Sequence, residues 1–272
     1  MSHADKSHMA PQRTWDLGLR QPIMLDIVIP MAGRGSRFAS VGYVQPKPLI
    51  PIHDTPMIKV VIDNLRPTRP HRFIFICQRE HVQAYGLNRK LNDWAPNAEL
   101  VEIDGITEGA ACTVLLAERH ITGNPLMIAN SDQFIDCSID EYLGKTDDPK
   151  VDGLIMTMTA HDPKWSFVGL DETGRVTRVV EKQPISDEAT VGIYNFRRGD
   201  DFVRAAKRMI AADKRVNGEF YVAPVYEELI EAGARIEISN IGREADGMYG
   251  LGTPNDLDLF LSLPISRGAT AA

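Results

Sequence analysis

No stretch of this chain approaches the roughly 20 consecutive apolar residues needed to cross a bilayer as a helix. Cysteine is scarce. Cys77, Cys112 and Cys137 stand far apart, with no Cys-x-x-Cys and no Cys/His spacing of a metal site, so they read as three free, buried thiols in a reducing cytoplasm. Positive charge is short as well: 30 Lys and Arg against 37 Asp and Glu give a net charge of −7. That balance argues against a general binder of nucleic acid or of an anionic membrane, leaving only a local basic pocket. Internal repeats and low-complexity tracts are missing, and His53, His71, His81, His120 and His161 are scattered without metal spacing.

The N-terminal "MSHADKSHMAPQRTWDLGLRQ" is polar and lacks the apolar core of a signal peptide. Its Ser-His-Met stretches resemble an expression-tag remnant. Residues 1–22 are therefore set aside as tag or disordered, and a cytoplasmic location is expected. With 43% hydrophobic residues, the remainder suffices for one large core. The expected layout is a single domain over 23–264, with halves at 23–150 and 151–264, and a tail at 265–272.

In the first half, short apolar runs alternate with helical patterns. "LDIVIP" (25–30), "RFIFIC" (72–77), "AELVEI" (98–103) and "PLMIANSD" (125–132) read as strands. "TPMIKVVIDNLRP" (55–67) reads as a helix capped by Thr55, and "GAACTVLLAERH" (109–120) as another. This rhythm predicts a Rossmann-like α/β fold, its mixed, mostly parallel sheet covered by helices on both faces. The second half opens with strands at 152–160, 167–171, 175–183 and 189–196, predicting a small β-rich lobe. Helices at 200–213 and 221–233, a strand at 235–241 and a last helix at 253–263, capped by Thr253, follow.

Three motifs carry chemistry. "IVIPMAGRGSRF" (27–38) runs from a strand into a loop where Gly33 and Gly35 allow close backbone approach and Arg34 and Arg37 add positive charge. It lacks the third glycine of a dinucleotide fingerprint, that position being Phe38, and the Gly-Lys-Ser/Thr of a P-loop. In "VQPKPLIPI" (44–52), Lys47 stands between two prolines that stiffen the backbone. A stiffly presented lysine near an Arg-Gly loop suits a triphosphate and its leaving group. In "IANSDQF" (128–134) a strand ends in Asn130, Ser131 and Asp132. Ligands of open α/β sheets lie outside the carboxyl ends of the strands, and a carboxylate facing phosphates there suits Mg²⁺.

Together, "PMAGRGSRF…QPKPLIPIHDTPMI", Asp132, "VVEKQPISDEATVGIYNF" (179–196), "NGEFY" (217–221) and "GLGTPNDL" (250–257) resemble, in order, the signature of the sugar-1-phosphate nucleotidylyltransferases. The likeness spans about residues 25–262. It implies the GT-A-like nucleotidyltransferase fold and transfer of a nucleotidyl group from an NTP to a phosphorylated small molecule, with Mg²⁺ and release of pyrophosphate. It further implies that Ala32, Gly33, Arg34, Gly35, Ser36 and Arg37 wrap the triphosphate. Arg37 and Lys47 would stabilise charge on the α-phosphate and pyrophosphate, Gln78, Glu108 and Gly109 would meet the base, and Asp132 would hold the metal. Glu181, Lys182, Gly192 and Glu219 would form the acceptor pocket, with Lys182 near the acceptor phosphate.

One position departs from the family. Relatives often read Trp-x-Asp-x-Gly-Thr, whose Asp is a second metal ligand, whereas "MYGLGT" (248–253) places Gly250 there. Asp132 would then act with waters and phosphates alone or borrow Asp246 or Asp256, of which Asp246 is favoured. Trp165 reads either as a residue beside the acceptor pocket or, preferably, as an amphipathic rim residue. The nucleotide could be CTP, UTP or dTTP. The style of "FICQREH" and "TEGAACTVLLA" leans towards capsule-associated cytidylyltransferases with a non-sugar acceptor, and family analogy suggests supply of surface polysaccharide. Relatives also suggest a homo-oligomer. A GT-A-type glycosyltransferase is a rival, although Asp132 and Asp136 lack its Asp-x-Asp spacing. A non-catalytic nucleotide-binding module is another.

Overall fold

The structure, a computed structural model, describes residues 23–271. The segment expected to be a tag lies outside the described residues.

Leu25–Pro30 (β1) leads into a one-turn helix, Ser36–Ala39 (α1). A tight pair, Pro51–Ile52 (β2) and Thr55–Pro56 (β3), precedes Met57–Leu65 (α2). His71–Gln78 (β4), Arg79–Tyr85 (α3), Leu87–Trp94 (α4), Glu99–Ile103 (β5), Ala110–Leu115 (α5) and Leu126–Ala129 (β6) follow. Next come Gln133–Ile135 (β7), Ile139–Gly144 (α6), Gly153–Thr159 (β8), Ser166–Leu170 (β9), Val176–Glu181 (β10) and Glu188–Phe196 (β11). The chain continues through Gly199–Ala211 (α7), Val225–Glu231 (α8), Ile236–Glu244 (β12), Gly247–Gly250 (β13), Pro254–Ser262 (α9) and Ile265–Gly268 (α10).

The large sheet is mixed and mostly parallel, in the order β5-β4-β1-β6-β11-β8-β12-β13-β7, with the β9–β10 hairpin joined at β11. Strands β5, β4, β1 and β6 are parallel, and β11 runs against both β6 and β8. Alternation along β1 sends Ile27 and Ile29 to one face and Val28 to the other. Helices α2, α3, α4 and α6 cover the first face, while α5, α7 and α8 cover the second. The clusters on both faces, and a third, smaller one around Phe38, Met57 and Phe260, draw residues from both halves of the chain.

Several boundaries differ from the sequence reading. Thr55 pairs with Ile52 in the small hairpin instead of capping α2, whose first residue is Met57. Residues 221–224 are irregular, so α8 starts at Val225. Thr253 does cap α9, accepting from the Asp256 backbone N–H. Ile265–Gly268, assigned to a tail, is helical, with Ser266 buried and held by His53 at 2.9 Å.

Candidate active site

Parallel strands bring their carboxyl ends to one edge. The loops after β1, β5 and β6 meet there and enclose a cavity of about 400 Å³. Ala32, Gly33 and Arg34 form part of its wall, with Lys47, Gly109, Asp132 and Glu219. Gly35 sits at φ +59°, and a Cβ there would lie 3.2 Å from Lys47 Cβ, so the glycine loop packs directly on the stiff Pro-Lys-Pro segment. Across 85 residues of sequence, Lys47 Nζ donates to Asp132 Oδ2 at 2.7 Å. Thr107 and Thr113 add hydroxyls to the same wall, linked to each other at 2.6 Å. Sequence reasoning missed both threonines, although Thr107 immediately precedes the flagged Glu108.

Gln78 is buried at the end of β4. Its amide nitrogen donates to Ala32 O at 2.7 Å and to Gly105 O at 2.6 Å. Both amide hydrogens are thereby spent on fastening the glycine loop to the loop after β5, and only the side-chain oxygen is left to meet a base. Gln78 lines an adjoining cavity of about 360 Å³ that shares Gly33, Arg34 and Ile106 with the first.

On the other side, a cavity of about 200 Å³ adjoins the first through Ala110 and Asn130. Glu181, Gly192, Trp165 and Tyr221 line it. Gly192 is at φ +79°, and a Cβ there would stand 2.2 Å from Asn130 Nδ2, so only glycine lets β11 approach the end of β6. Glu181 is buried and accepts from the Ser166 hydroxyl. Burial pushes its carboxyl above the ordinary value, against the pull of Ser166 and the Lys182 ammonium. Lys182 reaches Tyr221, its Nζ 2.5 Å from the phenol oxygen. Trp165, expected at a rim in preference to a place beside the pocket, lies in the wall, and its indole nitrogen is buried without a partner among the described residues.

Other expected site residues stand elsewhere. Arg37 and Ser36 are exposed on α1 and lie outside the wall, because the α1 turn carries them past the loop residue Arg34. The exposed Glu108 side chain pairs with Arg215 at 3.2 Å instead of facing the cavity. Glu219, expected among the acceptor residues, borders the first cavity, beside Lys47 and Asp132, and not the one lined by Glu181. Asp246 is not brought to Asp132. It lies in the turn joining β12 to β13, 76% exposed and 3.4 Å from Arg243. Gly250 faces Asp256, whose carboxylate accepts from Thr253 Oγ1 at 2.7 Å.

A divalent cation fits this arrangement through Asp132. Asp132 offers one carboxylate, and Mg²⁺ takes one or two carboxylates and completes its shell with water and phosphate; among the described residues no three His, Cys, Asp or Glu side chains cluster as a metal site. Space beside the carboxylate is kept by Gly252, where a Cβ would meet Asp132 Oδ2 at 2.7 Å.

The thiols are free, but of the three expected to be buried only Cys77 is, Cys112 and Cys137 being partly exposed; burial pushes Cys77 up to about 12 and Cys137 up to about 11. No helix among the described residues is long and apolar enough to cross a membrane.

Comparison with known proteins agrees with this geometry. The profile of the nucleotidyl transferase family matches residues 27–235. The bifunctional protein GlmU of Burkholderia orbicola (strain MC0-3) is 29% identical over 230 residues, covering 81% of this chain and 48% of that protein. The Arabidopsis thaliana protein named probable mannose-1-phosphate guanylyltransferase 2 is 27% identical over 177 residues, covering 61% of this chain and 49% of its own length. The chain thus spans about half the length, or less, of the curated relatives it matches. A nucleoside-diphosphate-sugar pyrophosphorylase from Vibrio cholerae RC9 superposes with a TM-score of 0.75 at 28% identity, covering 87% of this chain and all of that one. With its glycine loop, Pro-Lys-Pro segment and strand-end Asp132 gathered at one sheet edge, the chain belongs to the nucleotidyl transferase family.

Proposed function

We propose that this protein is a Mg²⁺-dependent nucleotidyltransferase that joins an NTP to a phosphorylated small molecule, such as a sugar 1-phosphate, and releases pyrophosphate. The Lys47–Asp132 contact at 2.7 Å carries the reading. A cation and a metal-ready carboxylate meet in the cavity walled by the glycine loop, beside a second cavity lined by Glu181 and Gly192.

An acceptor phosphate oxygen attacks the α-phosphorus of the nucleotide. A new P–O bond forms, the bond to the bridging oxygen breaks, and the electron pair leaves with pyrophosphate. The acceptor phosphate is already ionised at neutral pH, so no general base is required. Two anions must be brought together in line, and catalysis is then a matter of positioning and positive charge. The backbone at Ala32 to Gly35 cradles the triphosphate, and Lys47 stabilises the departing pyrophosphate. Arg34 at the cavity wall, with Arg37 one turn further, adds charge on the same side. Lys182 meets the acceptor phosphate, and Glu181 accepts from an acceptor hydroxyl. Bound Mg²⁺, held by Asp132 with water and phosphate oxygens, would neutralise charge on the reacting phosphates. Supply of an activated precursor for surface polysaccharide is the setting this chemistry suits.

The test crosses CTP, UTP, dTTP, GTP and ATP with a panel of phosphorylated sugars and small alcohols, with and without EDTA, and reads pyrophosphate. One pair is expected to give pyrophosphate that EDTA abolishes. Release of free nucleoside diphosphate from a nucleoside-diphosphate sugar supplied as donor, with no pyrophosphate from any NTP, would instead identify a glycosyltransferase. Nucleotide binding without pyrophosphate from any acceptor would identify a non-catalytic module.

A further inference from the structure

Tyr221 lies in the acceptor-side wall and grips Lys182 in two ways. Its hydroxyl accepts from Lys182 Nζ at 2.5 Å, and Nζ lies 4.6 Å from the ring centroid. Lys182 is fixed at its base too: its backbone is left-handed, φ +57°, and its N–H donates to Trp165 O at 2.9 Å. Glu181 Oε1 stands 4.0 Å from the ammonium, and Glu219 is the other charge acting on it.

Tyr221 is itself tied to the opposite cavity. The preceding Phe220 donates its N–H to Glu108 O at 2.8 Å and accepts from the Ala111 N–H at 3.0 Å. Gly109, in the nucleotide-side wall, packs so closely on Phe220 that a Cβ would come within 2.4 Å of its carbonyl oxygen. One short segment therefore joins the wall of the first cavity to Tyr221 in the wall of the second, and through Tyr221 to Lys182, which lies behind that wall.

We infer that Tyr221 is a positioning residue, registering the Lys182 ammonium against the nucleotide-side wall so that the acceptor phosphate is held where the α-phosphate arrives. The inference rests on the role given to Lys182 in the proposed reaction. A lysine on a flexible four-carbon stem loses rotamer entropy when it binds, and a fixed acceptor removes that cost in advance. Tyr221 takes one of the three ammonium hydrogens and leaves two for phosphate. Its hydrogen bond also raises the Lys182 pKa above the ordinary lysine value, opposed by burial and assisted by Tyr221, Glu181 and Glu219 charge. Losing the hydroxyl shifts that pKa down and frees more of the neutral amine at alkaline pH.

Tyr221→Phe keeps the ring and removes only the hydroxyl. In the unliganded protein at pH 9, acetylation of Lys182 by limiting acetic anhydride, read by peptide mass spectrometry, is expected to quicken about threefold or more, a shift of roughly half a pKa unit. With the best nucleotide–acceptor pair, kcat is expected to fall about tenfold while the nucleotide KM stays within about twofold. Tyr221→Gln, which restores an oxygen acceptor, should recover part of the kcat that Tyr221→Leu loses, and it replaces the Phe variant if that one fails to fold. Equal labelling rates, or faster labelling with unchanged kcat, would overturn the inference. A wild-type protein that makes no pyrophosphate would sink the proposed reaction instead, and the labelling comparison would still decide the Tyr221–Lys182 contact.

Discussion

Lys47 Nζ lies 2.7 Å from Asp132 Oδ2, so a metal bound at that carboxylate would be repelled by the ammonium and would compete with it where the two use the same oxygen. Removing the ammonium has opposite effects on two measurements. Lys47→Ala should lower pyrophosphate formation by about 10² to 10³, the usual cost of deleting one preorganised donor at a developing charge. The same change should tighten Mn²⁺ binding without nucleotide, by about fivefold at most for a half-buried pair. A Mn²⁺ titration followed by electron paramagnetic resonance separates the cases: unchanged or weaker binding contradicts the competition. Lys47 was legible because prolines on both sides restrict its backbone whatever it touches. The ion pair was not, since no local pattern links positions 85 residues apart. Gln78 shows the same limit. Its place at a strand end was readable, but its two bonds to Ala32 O and Gly105 O depend on which loops the sheet brings together.

Among the elements, the loops at the sheet edge place different demands on their glycines. Gly109 combines φ +132° with a Cβ position 2.4 Å from Phe220 O. Gly109→Ala should cost about 2 to 4 kcal/mol of stability through backbone strain and overpacking, seen as a lower urea midpoint. Gly33 has open space around it, so Gly33→Ala should change stability by less than about 0.5 kcal/mol while raising the nucleotide KM. Wild-type kinetics in that variant would remove Gly33 from the cradle. The strands were legible because alternation and apolar runs are local signals. Thr253 was legible as a cap because it depends on a bond three residues on. Thr55 misled because its hairpin with Ile52 is set by the turn that precedes α2. Strands β7 and β13 escaped because they are short and stable only against each other and β12.

For the whole molecule, the join between α7 and α8 carries a buried charge. Glu228 is 7% exposed and accepts from Lys214 at 2.6 Å and Arg208 at 3.2 Å. The Lys214 hydrogen bond, with help from Arg208, holds its carboxyl below the ordinary value of 4.5. A depressed carboxylate contributes stability that is fully present above the unfolded pKa and lost as pH falls through the folded one. Urea midpoints should therefore drop between pH 6 and pH 3, and Glu228→Gln should flatten part of that drop. An identical acid dependence in the variant would refute the assignment. The sequence by itself determined the α/β rhythm, the glycine loop, the Pro-Lys-Pro stretch and the strand-end Asp132, because each is written within a dozen residues. Only the tertiary structure decided that Lys47 meets Asp132, that Tyr221 holds Lys182, that Glu108 turns to Arg215 and that Asp246 lies apart. Those contacts follow from strand order and crossover, which bring residues 47 and 132, or 182 and 221, to one sheet edge.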